Sequence, residues 1–236
     1  MNKQEQNLRD LNKLPTDGYV VFPLSMSRIG NAQSAKECYK WLEFFEKKIT
    51  ILGLDAVFLY TNGLYYNDDS SALEVRKRTN GQMISHSNAV RKLVIKNRKY
   101  MPQAIHFVPW DYIILNSPEF EEYYIKLKEL DKKDKIFHEL VLDTLKDRKE
   151  TEANLNFILE EIAVTHVIRQ KLIEFPKTLV KKDSFRLIAY PGPPLKADIY
   201  QWKKKVLPQS KEFQFYASHY DLANQVIYNF DDLPEV

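Results

Sequence analysis

Four runs of nearly continuous apolar residues, separated by stretches of helical periodicity, constrain the fold of this chain more than any other feature. They are residues 19–24 (YVVFPL), a run around residues 49–60, residues 104–110 (AIHFVPW) and residues 184–190 (SFRLIAY). Runs without polar alternation are typical of strands that are covered on both faces, as in parallel sheets. The sequence therefore predicts a mainly parallel sheet enclosed by helices.

Helical patterns connect these runs and favour a Rossmann-like α/β fold, in which a parallel sheet is flanked by helices. The patterns cover residues 34–47 with Ser34 as N-cap, then 118–133, 136–149, 151–174 and 196–206, and the strand-like runs FQFYA and VIYNF follow. Three helical patterns between the third and fourth apolar runs predict a mostly helical insertion. No repeat or low-complexity linker divides the 236 residues, so we expect one domain over residues 1–236.

A long segment between the second and third apolar runs, interrupted by Gly81, concentrates positive charge. Its cations are Arg76, Lys77, Arg78, Arg91, Lys92, Lys96, Arg98 and Lys99. No Asp or Glu lies among these eight, and the chain's formal net charge is only +3, so the other residues sum to about −5. A local positive strip favours an extended polyanion such as nucleic acid as partner. A solvated helix face is the alternative that charge alone leaves open.

Motifs for several common chemistries are absent from the sequence. It contains no G-x-G-x-x-G, no G-x-x-x-x-G-K-[ST] and no G-x-S-x-G, which argues against dinucleotide binding, P-loop hydrolysis and α/β-hydrolase chemistry. The histidines, which are His86, His106, His138, His166 and His219, form neither H-E-x-x-H nor a close Cys/His pair, so we expect no metal site. His106 lies within an apolar run and is interpreted as a core histidine.

The compartment follows from the absence of targeting signals and disulfides. No run approaches the eighteen or so apolar residues that cross a bilayer, and the polar start MNKQEQNLRDLNK does not resemble a signal peptide, so we expect a cytoplasmic protein without membrane contact. The single cysteine, Cys38, shares a helical face with Ala35, Leu42 and Phe45. We interpret Cys38 as a core residue, with a reactive thiol as the alternative.

Two strand ends are predicted to meet at a ligand site. In open α/β sheets, ligands bind beyond the carboxyl ends of the strands, where the strand order reverses. Ser25 follows the first strand, and Tyr190 and Pro191 end the fourth. A class I aminoacyl-tRNA synthetase would share this architecture, but its ATP-binding signatures HIGH and KMSKS are absent. We therefore expect no activation by ATP and no cofactor.

These residues resemble the tRNA-dependent cyclodipeptide synthases, relatives of the class I synthetase catalytic domain. The first family signature is a strand that ends in Gly, a small aliphatic residue and the catalytic Ser, and residues 20–25 (VVFPLS) are similar to it, with Pro23 in place of the Gly. Tyr190 and Pro191 match the Tyr-Pro branch of the family, and Trp110 with Asp111 resembles a further family pair. The resemblance spans nearly the whole chain and places the tRNA on the basic strip.

The second family signature is a helical Tyr, a Glu four residues later and then a Pro. The segment FILEEIA keeps the carboxylate as Glu161, but puts Phe157 in the Tyr position and Ala163 in the Pro position. In a competing register, QKLIEFP, Glu174 and Pro176 match while Gln170 stands where Tyr belongs. We prefer Glu161 because its spacing before the basic LVKKD turn fits the family better.

The resemblance implies that the chain joins two amino acids, delivered by two aminoacyl-tRNAs, into a cyclic dipeptide by a ping-pong mechanism. Ser25 would be acylated, Glu161 and the residue at Phe157 would hold the ammonium group of the first amino acid, and Tyr190 would orient the substrate or relay a proton. Further substrate-pocket candidates are Val21, Pro23, Ser27, Trp110 and Pro191. We expect a monomer.

Two other functions stay open. The chain would be a catalytically inactive tRNA-binding protein if Phe157 and Pro23 mark a lost site. It would be a different aminoacyl-tRNA-dependent transferase if its acceptor were a peptide or a lipid. For the single residues, the alternatives are that Ser25 merely ends a strand, that Glu161 is a solvated helix carboxylate and that Tyr190 is a packed aromatic residue.

Overall fold

A six-stranded sheet organises the computed structural model, which describes residues 18–49, 55–61, 72–97, 105–145, 149–170, 172, 185–209 and 218–234. The strands are β1 (Gly18–Leu24), β2 (Asp55–Tyr60), β3 (Ile105–Pro109), β4 (Phe185–Tyr190), β5 (Ser218–Asp221) and β6 (Val226–Asn229). Their order is β3-β2-β1-β4-β5-β6. Neighbouring strands are parallel except for β5 and β6, which are antiparallel. The predicted mainly parallel α/β sheet is confirmed.

Helices cover the sheet on both faces. They are α1 (Ala35–Ile49), α2 (Ala72–Lys96), α3 (Trp110–Asn116), α4 (Glu119–Lys133), α5 (Lys135–Leu145), α6 (Glu152–Arg169) and α7 (Lys196–Lys203), with a short 3-10 helix at Phe230–Asp232. Helices α3 to α6 lie between β3 and β4 and form the predicted helical insertion. Within the described ranges, no helix combines the length and the apolarity that crossing a membrane requires.

Alternate residues of β1 supply two separate cores. Tyr19 and Val21 pack into a cluster with residues of the inserted helices and α7. Val20 and Phe22 pack into a second cluster with residues of α1 and α2. Because successive side chains of a strand point to opposite faces, a strand covered on both sides needs apolar residues at every position. This double coverage explains the unbroken apolar run of β1.

Local capping defines the inserted helices. The hydroxyl of Thr151 accepts a hydrogen bond from the Asn154 backbone N–H at 3.3 Å and begins α6. At the junction of α4 and α5, the Asp134 carboxylate accepts backbone N–H bonds from Ile136 and Phe137 at 3.0 and 3.1 Å. Side-chain oxygens at these positions satisfy donors that the first helical turn leaves unpaired.

Two sequence expectations about local structure are wrong. Trp110 does not end β3 but begins α3, because Pro109 ends the strand and Asp111 places a favourable negative charge in the first helical turn. Gly81 does not interrupt the basic segment, since α2 runs continuously through it. A mid-helix glycine costs about 1 kcal/mol relative to alanine. The buried face of α2, which includes Val90, offsets that cost.

Several predicted boundaries shift or lie outside the described residues. The run around residues 49–60 yields the shorter strand β2, because Ile49 ends α1 and residues 50–54 are outside the description. The helix predicted over residues 151–174 is observed as α6, with residues 173–184 outside the description. The FQFYA run at residues 213–217 is also outside it, whereas VIYNF contains β6.

The sheet divides between β1 and β4 at the position of Pro23. The β1–β4 register runs from Gly18 opposite Phe185 to Val21 opposite Ile188, whereas β1 stays paired with β2 as far as Leu24. The Leu24 carbonyl accepts from Thr61 on the β2 side, so the backbone of Pro23 faces the β4 side. Proline has no N–H to donate. Pro23 therefore lies at a position of β1 that is beyond its last hydrogen-bonded pair with β4.

Candidate active site

Ser25 lies directly after β1, at the division of the sheet. Its backbone N–H donates to the side-chain Oε1 of Gln33 at 2.7 Å, and its carbonyl accepts from the Arg28 N–H at 2.9 Å. The Ser25 and Ser27 hydroxyls share a hydrogen bond of 2.9 Å. Ser25 is half-buried and Ser27 is exposed. The backbone of Ser25 is thus held from both sides while its hydroxyl faces a second hydroxyl at an accessible position.

Arg28 connects this loop with the end of β4. Its Nη1 donates to the Tyr190 hydroxyl at 2.9 Å, while its backbone N–H contacts Ser25. The structure thus brings the ends of β1 and β4 together, at the point where the strand order reverses. Arg28 was not among the site residues predicted from the sequence. The sequence signal that could have identified Arg28 is its positive charge three residues after the predicted nucleophile, Ser25.

The turn after Tyr190 is anchored to β5. The Gly192 N–H donates to Asp221 Oδ1 at 2.9 Å, and the Gly192 carbonyl accepts from His219 Nε2 at 2.8 Å. Gly192 has a φ of 132°, a left-handed value that favours glycine. The backbone carbonyl of Tyr190 accepts from the Leu222 N–H at 2.9 Å. These bonds fix the backbone from which the Tyr190 side chain projects.

Burial and hydrogen bonding determine the charge states of the two anchors, His219 and Asp221. Burial lowers the pKa of His219 from 6.5 to about 4, although the bond to the Gly192 carbonyl opposes that change. For Asp221, burial raises the pKa, but hydrogen bonds from Asn224, Gly192 and Ala223 outweigh burial and lower it below its ordinary value. At neutral pH the turn is therefore held by a neutral imidazole and an ionised carboxylate.

Helix α6 carries the predicted carboxylate. Phe157 and Glu161 are both half-buried and lie four residues apart, which places them on one helix face. The Phe157 ring packs against the Trp110 ring with 5.5 Å between centroids. Glu160, which the sequence analysis did not single out, is fully buried. Glu174 and Pro176 of the competing register lie outside the described residues.

The other predicted pocket residues have different environments. Val21 and Trp110 belong to the core cluster that also contains residues of α6. Pro23 is buried within β1, whereas Pro191 is half-buried in the turn after β4. Among the described residues, no group of three or more His, Cys, Asp or Glu side chains is arranged to hold a metal ion.

Helix α2 has a basic exposed face and a buried opposite face. Lys77, Arg78, Arg91, Lys92 and Lys96 are all exposed. The buried side of the same helix contains Thr79, His86, Ser87 and Val90. The Arg91 guanidinium lies 4.5 Å from the centroid of the Phe107 ring on β3. The side chain of Arg76, together with Arg98 and Lys99, is outside the description.

A buried polar cluster lies beside the loop that follows β1, residues 25–34, which we call the Ser25 loop. This cluster was not predicted from the sequence. His86 Nε2 is 3.0 Å from the Gln33 carbonyl, and His86 Nδ1 is 2.8 Å from the Tyr60 hydroxyl. Cys38 is fully buried beside them and donates weakly to the Gln33 carbonyl at 3.4 Å. Burial raises the pKa of Cys38 from 9.0 to about 12, so it is a core residue, as predicted, and not a reactive thiol.

Comparison with known proteins places this geometry in a structural context. No family model matches the sequence, and no curated protein matches it. Solved structures do match. A cyclodipeptide synthase from Staphylococcus haemolyticus has a TM-score of 0.54 at 14% identity, over 86% of this chain and 89% of that one. A cyclodipeptide synthase from Bacillus thermoamylovorans has a TM-score of 0.54 at 11% identity, over 89% and 90%.

The chain has the cyclodipeptide synthase fold. A Mycobacterium tuberculosis protein, whose structure relates cyclodipeptide synthetases to type I tRNA synthetases, has a TM-score of 0.53 at 15% identity, over 90% of this chain and 85% of that one. The predicted Rossmann-like, class I synthetase-like architecture is confirmed. In this cyclodipeptide synthase fold, Ser25 and Tyr190 lie at the ends of the two strands that flank the reversal of strand order.

Proposed function

We propose that this chain is a tRNA-dependent cyclodipeptide synthase of the Tyr-Pro branch. The observation that carries the proposal is the meeting of Ser25 and Tyr190, joined through Arg28, at the division of the sheet in a cyclodipeptide synthase fold. A nucleophilic hydroxyl and a phenol at such a crevice suit acyl transfer. The proposed substrates are two aminoacyl-tRNAs for each product.

Acylation of Ser25 is the first proposed step. The Ser25 Oγ attacks the ester carbonyl of an aminoacyl-tRNA, the bond from that carbon to the ribose oxygen breaks, and the hydroxyl proton ends on the departing ribose oxygen. The ester is already activated, so no ATP is consumed. The hydrogen bond between the Ser25 and Ser27 hydroxyls orients the nucleophile, and the Gln33 and Arg28 backbone contacts limit its movement.

Helix α6 forms the proposed binding site for the first amino acid. The Glu161 carboxylate accepts a charge-assisted hydrogen bond from the ammonium group of this amino acid. Phe157, in place of a tyrosine, supplies ring contact but no hydroxyl at the same helix face. The packed pair of Phe157 and Trp110 forms an apolar wall of this pocket. Val21, Pro23 and Pro191 complete the set of proposed pocket residues.

Condensation and cyclisation follow on the same serine. The amine of a second aminoacyl-tRNA attacks the acyl-Ser25 carbonyl, which forms a peptide bond and releases the Ser25 hydroxyl with its proton. The free amine of the tRNA-bound dipeptide then attacks its own ester carbonyl and releases the second tRNA. Tyr190 orients the intermediate or relays a proton in this step. The products are one cyclic dipeptide and two deacylated tRNAs.

The exposed face of α2 is the proposed tRNA contact. Lys77, Arg78, Lys92 and Lys96 are available there, and Arg91 stacks on Phe107. Several cations on one helix face can contact neighbouring phosphates, and each phosphate contact releases counterions. Arg76, Arg98 and Lys99 are proposed to extend this surface.

Mass spectrometry of medium from bacterial cells that express the chain tests the proposal. We expect a cyclic dipeptide with the parent and with Thr144→Ala, a hydroxyl-removing control on α5, but none with Ser25→Ala. Soluble parent protein without any cyclic dipeptide would refute the proposal. Aminoacyl transfer to a peptide or lipid would then favour the other transferase, and tRNA binding without transfer would favour an inactive tRNA-binding protein.

A further inference from the structure

Gln33 contacts the backbone of Ser25 through its side chain and contacts α2 through its own backbone. Its side chain is only 1% exposed. Its Oε1 accepts the Ser25 N–H at 2.7 Å, and its carbonyl oxygen accepts from His86 Nε2 at 3.0 Å. Gln33 lies two residues before Ala35, the first residue of α1, in the loop that carries the proposed nucleophile.

The amide orientation of Gln33 favours the bond to Ser25 at a cost. The Gln33 Nε2 is buried and has no hydrogen-bond partner among the described residues. Rotating the amide by 180° would place this donor against the Ser25 N–H, which is also a donor. The Gln33 Oε1 atom must therefore point towards the Ser25 N–H, even though this orientation leaves the buried Gln33 Nε2 donor unpaired. Such a cost is expected where the position of a backbone group matters.

The hydrogen bonds of His86 define its tautomer. The Gln33 carbonyl can only accept, so the proton of the neutral ring lies on Nε2. Burial lowers the pKa of His86 below its ordinary value, although hydrogen bonds to backbone carbonyls oppose this change. The Nδ1 atom then accepts from the Tyr60 hydroxyl at 2.8 Å, at the end of β2. His86 is therefore fixed between the sheet and the Ser25 loop.

We infer that Gln33 and His86 are positioning residues for Ser25, and that they join the nucleophile loop to the helix proposed to bind tRNA. The inference rests on the proposed function. His86 projects from the buried side of α2, whereas Lys92 and Lys96 are exposed on it. A tRNA that binds the basic face therefore restrains the helix that holds Gln33, and Gln33 holds Ser25.

Single-turnover acylation measures the role of Gln33. Bacterial total tRNA charged with a radiolabelled amino-acid mixture is added to excess protein, and label bound to protein is counted after ribonuclease digestion and acid precipitation. Gln33→Met keeps the side-chain length but removes the acceptor, and we expect acylation to be about 10- to 100-fold slower, as misplacement of a reacting group predicts. Gln33→Glu keeps an acceptor oxygen, so we expect this variant to be acylated faster than Gln33→Met. Gln82→Met, at an exposed position of α2, should match the parent.

A double-mutant cycle tests whether His86 acts through Gln33. His86→Phe removes the donor to the Gln33 carbonyl, whereas His86→Gln retains an N–H at similar reach. We expect His86→Phe to slow acylation, His86→Gln to slow it less, and the pair Gln33→Met with His86→Phe to be no slower than Gln33→Met alone. Additive losses in the double variant would refute the connection. If Gln33→Met does not fold, equal rates for the two His86 variants would overturn the proposal.

Amide hydrogen exchange gives a readout that does not depend on activity. We expect the segment that contains Ser25 to exchange faster in Gln33→Met than in the parent, and deacylated total tRNA to slow its exchange in the parent more than in His86→Phe. Unchanged exchange in both comparisons would contradict the inference. A parent that is never acylated would instead contradict the proposed function, with Ser25→Ala as the background, so the two failures are distinguishable.

Discussion

The guanidinium of Arg28 donates a hydrogen bond to the hydroxyl of Tyr190 at 2.9 Å. This contact spans the division of the sheet, because Arg28 follows β1 and Tyr190 ends β4. The phenol oxygen thus lies beside a positive charge that belongs to the nucleophile loop. Movement of either strand end would move both groups of the proposed reaction.

Removing this contact should slow cyclic dipeptide formation. We expect Arg28→Met to reduce the rate about tenfold, because one hydrogen bond contributes about 1.4 kcal/mol and that energy is a factor of ten in rate. Tyr190→Phe should remove the same bond, so the double variant should be no slower than Tyr190→Phe alone. Rates from purified protein and charged tRNA measure this. Arg28→Lys retains the charge and an N–H donor and should therefore be less slow than Arg28→Met, and equal rates for the two variants would contradict a role for this contact.

The anchor of the turn after Tyr190 should contribute strongly to stability. Asp221 is fully buried and accepts hydrogen bonds from Gly192, Ala223 and Asn224. Asp221→Ala should lower the free energy of unfolding by about 2–4 kcal/mol, because several N–H donors lose a buried and charged acceptor. Urea unfolding followed by circular dichroism measures the change. The exposed Asp232, changed to alanine, serves as control, and equal effects of the two substitutions would contradict this account.

Mild acid should destabilise the protein through two buried histidines. Burial lowers the pKa values of His166 and His219 from 6.5 to about 4. Between these values the unfolded chain binds protons that the folded chain does not, so acid favours unfolding. The stability that comes from keeping these two histidines neutral is fully present above about pH 6.5 and decreases as the pH falls towards about 4.

Thermal unfolding across this pH range checks the expectation. His219→Gln keeps a donor for the Gly192 carbonyl but does not titrate, so its melting temperature should fall less steeply between pH 6.5 and 4 than that of the parent. Equal slopes for parent and variant would exclude His219 as a source of the acid sensitivity.

Charge reversal on α2 should weaken tRNA binding and its dependence on salt. Replacing Lys92 and Lys96 with Glu should reduce the slope of log affinity against log salt by about 1 to 2, as expected for two lost phosphate contacts. Filter binding at several salt concentrations measures the slope. The matched control reverses Lys36 and Lys40 on α1, which are also exposed. Equal losses in the two double variants would show a general charge effect and no basic binding face.

The centre of the sheet could be predicted because β1 and β2 are buried along their whole length, and that burial leaves unbroken apolar runs such as the one before Ser25. The place of Trp110 in a helix could not be predicted from its apolar run, because that run continues unbroken past Pro109, where the strand ends. Continuity through Gly81 depends on tertiary packing of α2, which overrides the local preference of one glycine.

Parts of the candidate site depend on contacts between distant residues. Gln33 lies in the loop after β1, Tyr60 ends β2 and His86 lies on α2, and none of the three belongs to a local motif. Ser25 and Tyr190 could be proposed from the sequence because each ends an apolar run. Arg28 and Gln33, which hold them, follow a strand in a loop without periodicity, so only the folded chain shows what they contact.

Pro23 also affects how the crevice beside it is maintained. The last residues of β1 lie beyond the final β1–β4 pair, Val21 and Ile188. Neighbouring strands can extend their hydrogen-bonded pairing by further residues where both backbones have free donors and acceptors. The pyrrolidine ring has no hydrogen to offer, so extension at Pro23 would gain no N–H bond. Pairing between β1 and β4 ends after Val21 and Ile188, and a single proline disfavours its extension through backbone chemistry alone, with no need for a bulky side chain.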